Sequence, residues 1–366
     1  MRSDITFTTG DAGSKVLRFD QAGVSRNSWP RATRSGTRAD ECPPLRPQKD
    51  VYLLIEGTVF RTHSGNYYVQ TDTEGVVVCK LRGNLKKELV YSTSGSNPRR
   101  VEQAKKRRTT DPLTVGDRVR VDQDLALIVE TFPRHSELSR DSPSGRGQHT
   151  LVANLDQAFL FIAAASPPPN FWLLDRFLVL AEAADIPPCL VVNKIDQLTE
   201  EDRPQIEASV KVYEKVGYPV FWVSAKTGQG IESVREALRG RISAVAGPSG
   251  VGKSSLLNTL QPGLQLKTGD IDNAMLSGRH TTTTAELLPL DGGGWVADTP
   301  GLRQVDFWEV DKGEIQYCYP EFQPYLGECR FAGCRHHTEL SCAVRAAVEA
   351  GEIDRRRYES YLQMTA

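Results

Sequence analysis

The sequence predicts a multidomain protein in which a small β-barrel is followed by a parallel α/β domain and a short, mostly helical C-terminal region. Short strand-like runs separated by turn residues fill positions 53–135. From about residue 150, fully apolar strands alternate with helical patterns, which is typical of a parallel sheet covered on both faces. Three cysteines and a histidine cluster between positions 329 and 342, which indicates that a metal ion organises the last region.

The bulk composition is that of a globular protein. The chain has 366 residues, of which 39% are hydrophobic and 25% charged, so there is room for two or three domains. No apolar run approaches the ~20 residues that span a bilayer, and we expect a cytoplasmic monomer without membrane contact. Residues 1–50 are rich in Ser, Thr, Arg and Gly and predict a disordered extension. A transit peptide is the weaker alternative because the segment is too acidic.

Residues 51–140 predict an OB-fold barrel. About five short strands over roughly 80 residues suit this small barrel. The strand-like runs are Leu53–Gln70, which is divided by a turn at Ser64-Gly65-Asn66, then Val76–Cys79, Val119–Val121 and Leu125–Val129. Residues 80–110 carry ten Lys and Arg against Glu88 and Glu102. This basic segment predicts either a phosphate-binding loop or a solvated loop, and charge alone does not choose between them.

Residues 141–312 predict a doubly covered parallel sheet. The predicted strands are Ala158–Ala163, Pro188–Val192, Val220–Val223, Ile242–Ala246 and Trp295–Ala297. The predicted helices are Leu173–Ala184, Pro204–Val216, Ile231–Leu238 and Ser254–Leu260. The motifs that carry chemistry follow the strands, at the carboxyl edge where such sheets bind ligands.

The first motif is a phosphate loop, defined here as Gly247-Pro248-Ser249-Gly250-Val251-Gly252-Lys253-Ser254. It lies between a predicted strand and a predicted helix, the setting in which backbone N–H groups cradle phosphates. Lys253 is expected to reach the β- and γ-phosphates, and the Ser254 hydroxyl to bind Mg²⁺. Ser255 follows directly and is included in the predicted nucleotide site.

Two further motifs predict that the nucleotide is GTP. Asn193-Lys194-Ile195-Asp196 follows an apolar strand, and a carboxylate there can accept both the ring N–H and the exocyclic amine of guanine. Ser224-Ala225-Lys226 follows the next strand and can place a backbone N–H on the guanine carbonyl. We call these the Asn-Lys-x-Asp motif and the Ser-Ala-Lys motif.

The γ-phosphate is expected to be sensed by two later segments. Asp298-Thr299-Pro300-Gly301 ends a strand, so Asp298 is predicted to hold a Mg²⁺-bound water and the Gly301 N–H to approach the γ-phosphate. In the run Gly278-Arg279-His280-Thr281-Thr282-Thr283-Thr284, Thr282 or Thr283 is expected to complete the Mg²⁺ shell, and we assign Thr283. Leu302 stands where Ras-like enzymes have the glutamine that orients the attacking water, and an apolar side chain cannot do this. We therefore assign the orientation of water to His280, and the alternative role for His280 is contact with a partner.

The order of these motifs is rotated. An ordinary GTPase begins with the phosphate loop, whereas here the base-reading motifs come first, which predicts a circularly permuted P-loop α/β GTPase domain. The permutation also places the γ-phosphate segments directly before the C-terminal region, and this predicts that the two are coupled.

The C-terminal region, residues 313–366, predicts a zinc-binding, mostly helical domain. Cys329, Cys334, His336 and Cys342 supply a complete tetrahedral set for one structural Zn²⁺, with His337 as an adjacent competitor. A charged helix is predicted near Ile353–Leu362.

Together these residues resemble the RsgA (YjeQ) family of circularly permuted GTPases, which assist late assembly of the small ribosomal subunit. The resemblance covers residues 53–362 and includes Leu81-Arg82-Gly83 and the run from Pro133 to Arg140. It implies binding to the small (30S) subunit and its rRNA, hydrolysis of GTP to GDP stimulated by the subunit, and release afterwards. An RNA-binding module with GTP as a structural ligand is the alternative that Leu302 favours. A GTPase of the large subunit is disfavoured by the barrel and the zinc cluster.

Overall fold

The computed structural model describes residues 54–73, 75–82, 113–141, 148–262, 285–298 and 310–366. Its strands are β1 (Leu54–His63), β2 (Asn66–Thr71), β3 (Gly75–Leu81), β4 (Arg118–Asp122), β5 (Leu127–Thr131), β6 (Glu137–Asp141), β7 (Gln148–Ala153), β8 (Gln157–Ala163), β9 (Pro188–Asn193), β10 (Val220–Trp222), β11 (Ile242–Ala246), β12 (Glu286–Pro289) and β13 (Trp295–Asp298). Its α-helices are α1 (Phe171–Ala183), α2 (Arg203–Val216), α3 (Ile231–Leu238), α4 (Lys253–Leu260), α5 (Ala343–Glu349) and α6 (Arg355–Thr365).

The first five strands close into the predicted barrel. Their order is β1-β2-β3-β5-β4, and β4 returns to pair with β1. Alternate residues point inward along each strand, so Val59, Val69, Val119 and Ile128 are fully buried in a core of their own. The pairing of β3 with β5 is parallel and covers only Lys80 and Leu81, so the barrel is least closed between these two strands.

The second sheet has the order β10-β9-β8-β11-β13-β12 and is parallel except for β12. Every residue of β8 and β9 is buried, because helices cover both faces. Strand β11, which leads into the phosphate loop, comes fourth in this sheet along the chain but lies in its centre, between β8 and β13. This position confirms the predicted permutation.

The barrel and the parallel sheet join edge to edge. Arg61 of β1 pairs with Glu286 of β12, so one eleven-stranded sheet runs through both. The ring of Phe60 stacks on that of Trp295, with centroids 5.8 Å apart. A separate contact joins the barrel to the segment before β6, where Arg134 donates two hydrogen bonds of 2.6 and 2.7 Å to the buried carboxylate of Asp117.

The C-terminal region packs on α1 and α2. Two 3₁₀ segments (Ile315–Cys318 and Pro320–Tyr325) precede α5 and α6, and their aromatic side chains form a core of their own with Val179 of α1. Among the residues that the structure describes, none of the helices is both long and apolar enough to cross a bilayer.

The predicted elements are confirmed with small shifts at their ends. Helix α1 begins at Phe171 rather than Leu173, because the Asn170 side chain accepts a hydrogen bond from Leu173 N and caps the helix. Strand β5 begins at Leu127 rather than Leu125, because Leu125 N donates to Asp122 in a turn. The sequence analysis missed the β6–β7 hairpin, β12 and α5. Residues 1–50 and most of the basic segment lie outside the described residues.

Substitution of Gly116 tests the close approach of the barrel to the end of β7. Its φ is +92°, and a Cβ there would lie 1.9 Å from the Ala153 carbonyl oxygen. We expect Gly116→Ala to destabilise the protein by about 3 kcal/mol, because it combines backbone strain with a clash against main chain. The matched control is Gly65→Ala, where φ is +76° and no atom lies within 4 Å; strain alone should cost about 1 kcal/mol there. Equal urea midpoints for the two variants would contradict this account.

Candidate functional site

The phosphate loop joins β11 to α4 through glycines that other residues cannot replace. Gly247 has φ +143°, and a Cβ on it would lie 2.6 Å from the Phe161 carbonyl oxygen. Gly252 has φ +90°, and a Cβ on it would lie 2.4 Å from the Asn193 side-chain nitrogen. The loop therefore keeps its shape because it passes directly against β8 and the Asn-Lys-x-Asp motif.

The phosphate loop carries positive charge where it meets the start of α4. Lys253 begins α4 and donates 2.7 Å hydrogen bonds to the carbonyl oxygens of Gly247 and Pro248, so its ammonium group lies over the loop. The N-terminus of α4 adds the positive end of the helix dipole. Ser254, one residue on, is buried in the same turn. An anion is the ligand that this arrangement favours.

Asn193 joins all three predicted nucleotide motifs. It ends β9 and is 1% exposed. Its side-chain nitrogen donates to the carbonyl oxygen of Val251 in the phosphate loop at 2.9 Å. Its side-chain oxygen accepts from Lys194 N at 2.8 Å and from Ala225 N at 3.3 Å. One amide therefore holds segments that are about 30 and 60 residues away in the sequence.

Asp196 is oriented by the Ser-Ala-Lys motif. The Ser224 hydroxyl donates to one carboxylate oxygen of Asp196 at 2.6 Å and is itself fully buried. Ser224 also accepts a hydrogen bond from Thr227 N, which fixes its rotamer. The Asp196 side chain is exposed, so its carboxylate is presented at the surface in a fixed orientation.

Lys194 makes a contact that the sequence analysis missed. It adopts a left-handed backbone conformation, and its ammonium group donates to the Ser166 carbonyl oxygen at 2.7 Å. Ser166 lies in the loop that follows β8, at the same carboxyl edge as the motifs. That shared edge is the signal by which the loop could have been found.

The predicted γ-phosphate residues fall mostly outside the described part of the chain. His280, Thr282, Thr283 and Gly301 all lie there. The backbone of Asp298 is described and ends β13, the neighbour of the phosphate-loop strand β11. Its place in the sheet therefore agrees with the predicted role in holding a Mg²⁺-bound water, and that role stays a prediction.

The structure brings the predicted metal ligands together. The ligand atoms of Cys329, Cys334, His336 and Cys342 all lie within 4.8 Å of one another. Donor atoms held about 2.3 Å from one tetrahedral centre lie about 3.8 Å apart. The observed separations fit this geometry: Cys329 Sγ to Cys342 Sγ is 3.9 Å, and His336 Nδ1 lies 3.3 and 3.5 Å from the same two sulfurs.

Neighbouring groups prepare these side chains for a metal ion. The other ring nitrogen of His336 is 2.9 Å from the Gln316 side-chain oxygen, which leaves Nδ1 as the electron-pair donor. Burial lowers the pKa of His336 and favours the neutral ring. Ala343 N and Arg345 N donate to the sulfurs of Cys329 and Cys342. His337, the sequence competitor, contacts Thr365 instead and lies outside the cluster.

Comparison with known proteins agrees with the class that this fold and site define, a circularly permuted P-loop GTPase with a metal-binding region. The model of the RsgA GTPase family matches residues 131–308. A small ribosomal subunit biogenesis GTPase RsgA from Gemmatimonas aurantiaca is 47% identical over 259 residues, 69% of this chain and 83% of the relative. Another from Moorella thermoacetica is 40% identical over 312 residues, 85% of this chain and 97% of the relative.

Solved structures give the same result. The crystal structure of YjeQ from Thermotoga maritima has a TM-score of 0.68 and 34% identity, and the match covers 86% of this chain and 98% of that one. YloQ, described as a circularly permuted GTPase, has a TM-score of 0.64 and 30% identity, covering 87% and 96%. The chain belongs to the RsgA family of GTPases, hydrolases that act on GTP.

The adjacent histidines test the metal cluster. We expect His336→Ala to lose the metal ion, because three cysteines leave one coordination position unfilled. His337→Ala should keep it, because that ring contacts Thr365. Elemental analysis of the two purified variants measures the metal content directly. A metal-replete His336→Ala protein, or a metal-free His337→Ala protein, would contradict the ligand assignment.

Proposed function

We propose that this protein is a GTPase that binds the small ribosomal subunit, assists its late maturation in the cytoplasm and leaves after GTP hydrolysis. The observation that carries the nucleotide part is the Asn193 side chain, which joins the phosphate loop to both base-reading motifs. The ribosomal part is supported by the relatives, which are named small ribosomal subunit biogenesis GTPases.

GTP would be held along the carboxyl edge of the parallel sheet by the residues of the three motifs. The Asp196 carboxylate, oriented by Ser224, would accept the ring N–H and amine of guanine, a pattern that adenine lacks. Ala225 and Lys226 would lie beside the base, and Lys194 would pack against it. The phosphate loop and Ser255 would surround the phosphates, and Lys253 would exchange its carbonyl contacts for phosphate oxygens.

Mg²⁺ would be held by Ser254 and Thr283, with Asp298 behind a bound water. These residues are hard oxygen donors, the class that Mg²⁺ prefers. The ion would neutralise phosphate charge. Because Leu302 cannot orient water, we assign this role to His280, and Gly301 would donate its N–H to the γ-phosphate. Slow hydrolysis by the free protein, accelerated on the subunit, is the expected behaviour.

The remaining regions would contact the subunit. The barrel (51–140), with its basic segment, would bind rRNA, a use that OB-folds support. The domain at 313–366 would form a second contact, and we propose that its metal ion is a structural Zn²⁺, because all four positions are filled by protein. GTP would order the Thr-rich segment of the 141–312 domain, and hydrolysis would release it.

Substitution of Asn193 tests the nucleotide site. We expect Asn193→Ala to weaken GDP binding about 100-fold, because the loss of several buried hydrogen bonds of about 1 kcal/mol each disconnects the three motifs. Asn66→Ala, at the start of β2 in the barrel, is the control and should bind GDP normally. Isothermal titration of both variants gives the answer, and unchanged affinity for Asn193→Ala would refute the assigned role.

GTP turnover with purified small subunits tests the function. We expect wild-type hydrolysis to rise at least tenfold when subunits are added, and Ser254→Ala to stay near the basal rate because its Mg²⁺ ligand is gone. Absence of stimulation in the wild type, together with nucleotide-dependent subunit binding, would favour the rival function instead. In that rival, suggested by Leu302, the protein is an RNA-binding module with GTP as a structural ligand.

A further inference from the structure

Helix α1 uses one face to bind the C-terminal region. Residues 171, 175 and 179 are four apart and therefore lie on the same side of the helix. The ring of Phe171 lies under the guanidinium group of Arg356, 4.1 Å from the ring centroid. Val179, two turns further on, is buried in the aromatic core of the C-terminal region. Leu174, Phe177 and Leu178 pack instead into the core of the parallel sheet.

The central contact on this face is a buried ion pair. Arg357 of α6 and Asp175 are both fully buried, and Arg357 Nη1 donates to Asp175 Oδ1 at 2.7 Å. Arg357 also donates to Glu321 at 2.7 Å, and the Tyr213 hydroxyl of α2 donates to Asp175 Oδ1 at 2.8 Å. Removing the Asp175 carboxylate takes away the buried acceptor of Arg357 Nη1 and of the Tyr213 hydroxyl, while Glu321 still pairs with Arg357. Because unsatisfied buried donors are costly, the Asp175 contact fixes α1 against the C-terminal region.

The other end of α1 reaches the guanine site. Its preceding loop leaves β8 with a hydrogen bond from Ala164 N to the Asn193 carbonyl oxygen at 2.7 Å. Two residues later, the Ser166 carbonyl oxygen accepts from the Lys194 ammonium group. The loop ends at Asn170, which caps the helix. Ser166, which orients Lys194, and Asp175, which holds Arg357, are therefore nine positions apart in the sequence.

We propose that Asp175 and Arg357 are positioning residues for the guanine nucleotide, and that α1 couples nucleotide occupancy to the C-terminal region. This inference rests on the proposed binding of guanine at Lys194 and Asp196. A base packed on Lys194 restrains Ser166 and the start of α1, and a restrained α1 holds Arg357. Linkage makes the effect reciprocal: docking of the C-terminal region tightens nucleotide binding by the same factor.

Hydrogen exchange on the full-length wild-type protein, with and without saturating GDP, tests the coupling. GDP should slow exchange in the phosphate loop (247–254), in α1 and in α6, and leave β4 and β5 of the barrel unchanged. Slowing in the phosphate loop without any change in α1 and α6 overturns the coupling and leaves the proposed function intact. If GDP also leaves exchange in the phosphate loop unchanged, the coupling and the proposed function are both overturned.

A matched pair of variants tests the two residues. Asp175→Asn keeps the shape of the side chain but removes its charge; we expect GDP affinity to fall about five- to tenfold. The GDP-dependent slowing in α6 should disappear while that in the phosphate loop persists at saturation. Asp117→Asn, in the buried pair with Arg134, is the control and should change GDP affinity less than about twofold and keep the slowing in α6.

Metal analysis of both variants separates coupling from simple loss of structure. Equal metal content, with α6 losing its response to GDP only in Asp175→Asn, supports the proposal. A normal GDP response of α6 in that variant overturns it. If Asp175→Asn does not fold, Phe171→Leu replaces it: removing the ring beneath Arg356 should weaken the α6 response, and a full response would overturn the proposal.

Discussion

The nucleotide site depends on one buried amide. Asn193 is the only point among the described residues where the phosphate loop, the Asn-Lys-x-Asp motif and the Ser-Ala-Lys motif share a side chain. A buried amide that makes all its hydrogen bonds specifies geometry strongly, since any displacement leaves polar groups unpaired in a dry environment. Gly252 follows from this constraint, because a Cβ on it would enter the space of the same amide.

The site depends on contacts between motifs in space and not on their order in the chain. A permuted chain order is therefore compatible with the fold. A sheet requires each strand to have its neighbours in space, and β11 pairs with β8 and β13 whatever its place along the chain. The permutation does change which segments of the domain lie next to the C-terminal region in the chain. The motif order predicts that this region is coupled to the γ-phosphate segments through the backbone. The coupling that we propose takes a separate route through α1, which depends on packing and leads to Lys194 of the Asn-Lys-x-Asp motif.

Much of the fold and the site could be predicted because their signals are local. The strands β8, β9 and β11 are continuous apolar runs, and each nucleotide motif directly follows a strand. The Asp175–Arg357 pair could not be predicted, because a charged residue in a helical pattern usually faces solvent and only tertiary packing buries it. The contact of Gln316 with His336 could not be predicted for a similar reason, because it joins residues 20 positions apart without any periodic pattern. β12 is short and ends in a proline, so it gives little signal of its own.

The edge-to-edge junction has a consequence for the outer edge of the parallel sheet. Strand β12 closes one side of the parallel sheet, and an uncovered strand edge offers free N–H and C=O groups to other chains. Here β1 of the barrel pairs with β12 at Arg61 and Glu286, and the barrel in turn closes on itself through β4. The barrel thus adjoins the parallel sheet at this edge. A fragment starting after the barrel would keep every nucleotide motif, but β12 would lose its pairing with β1. Its exposed edge could then pair with other chains.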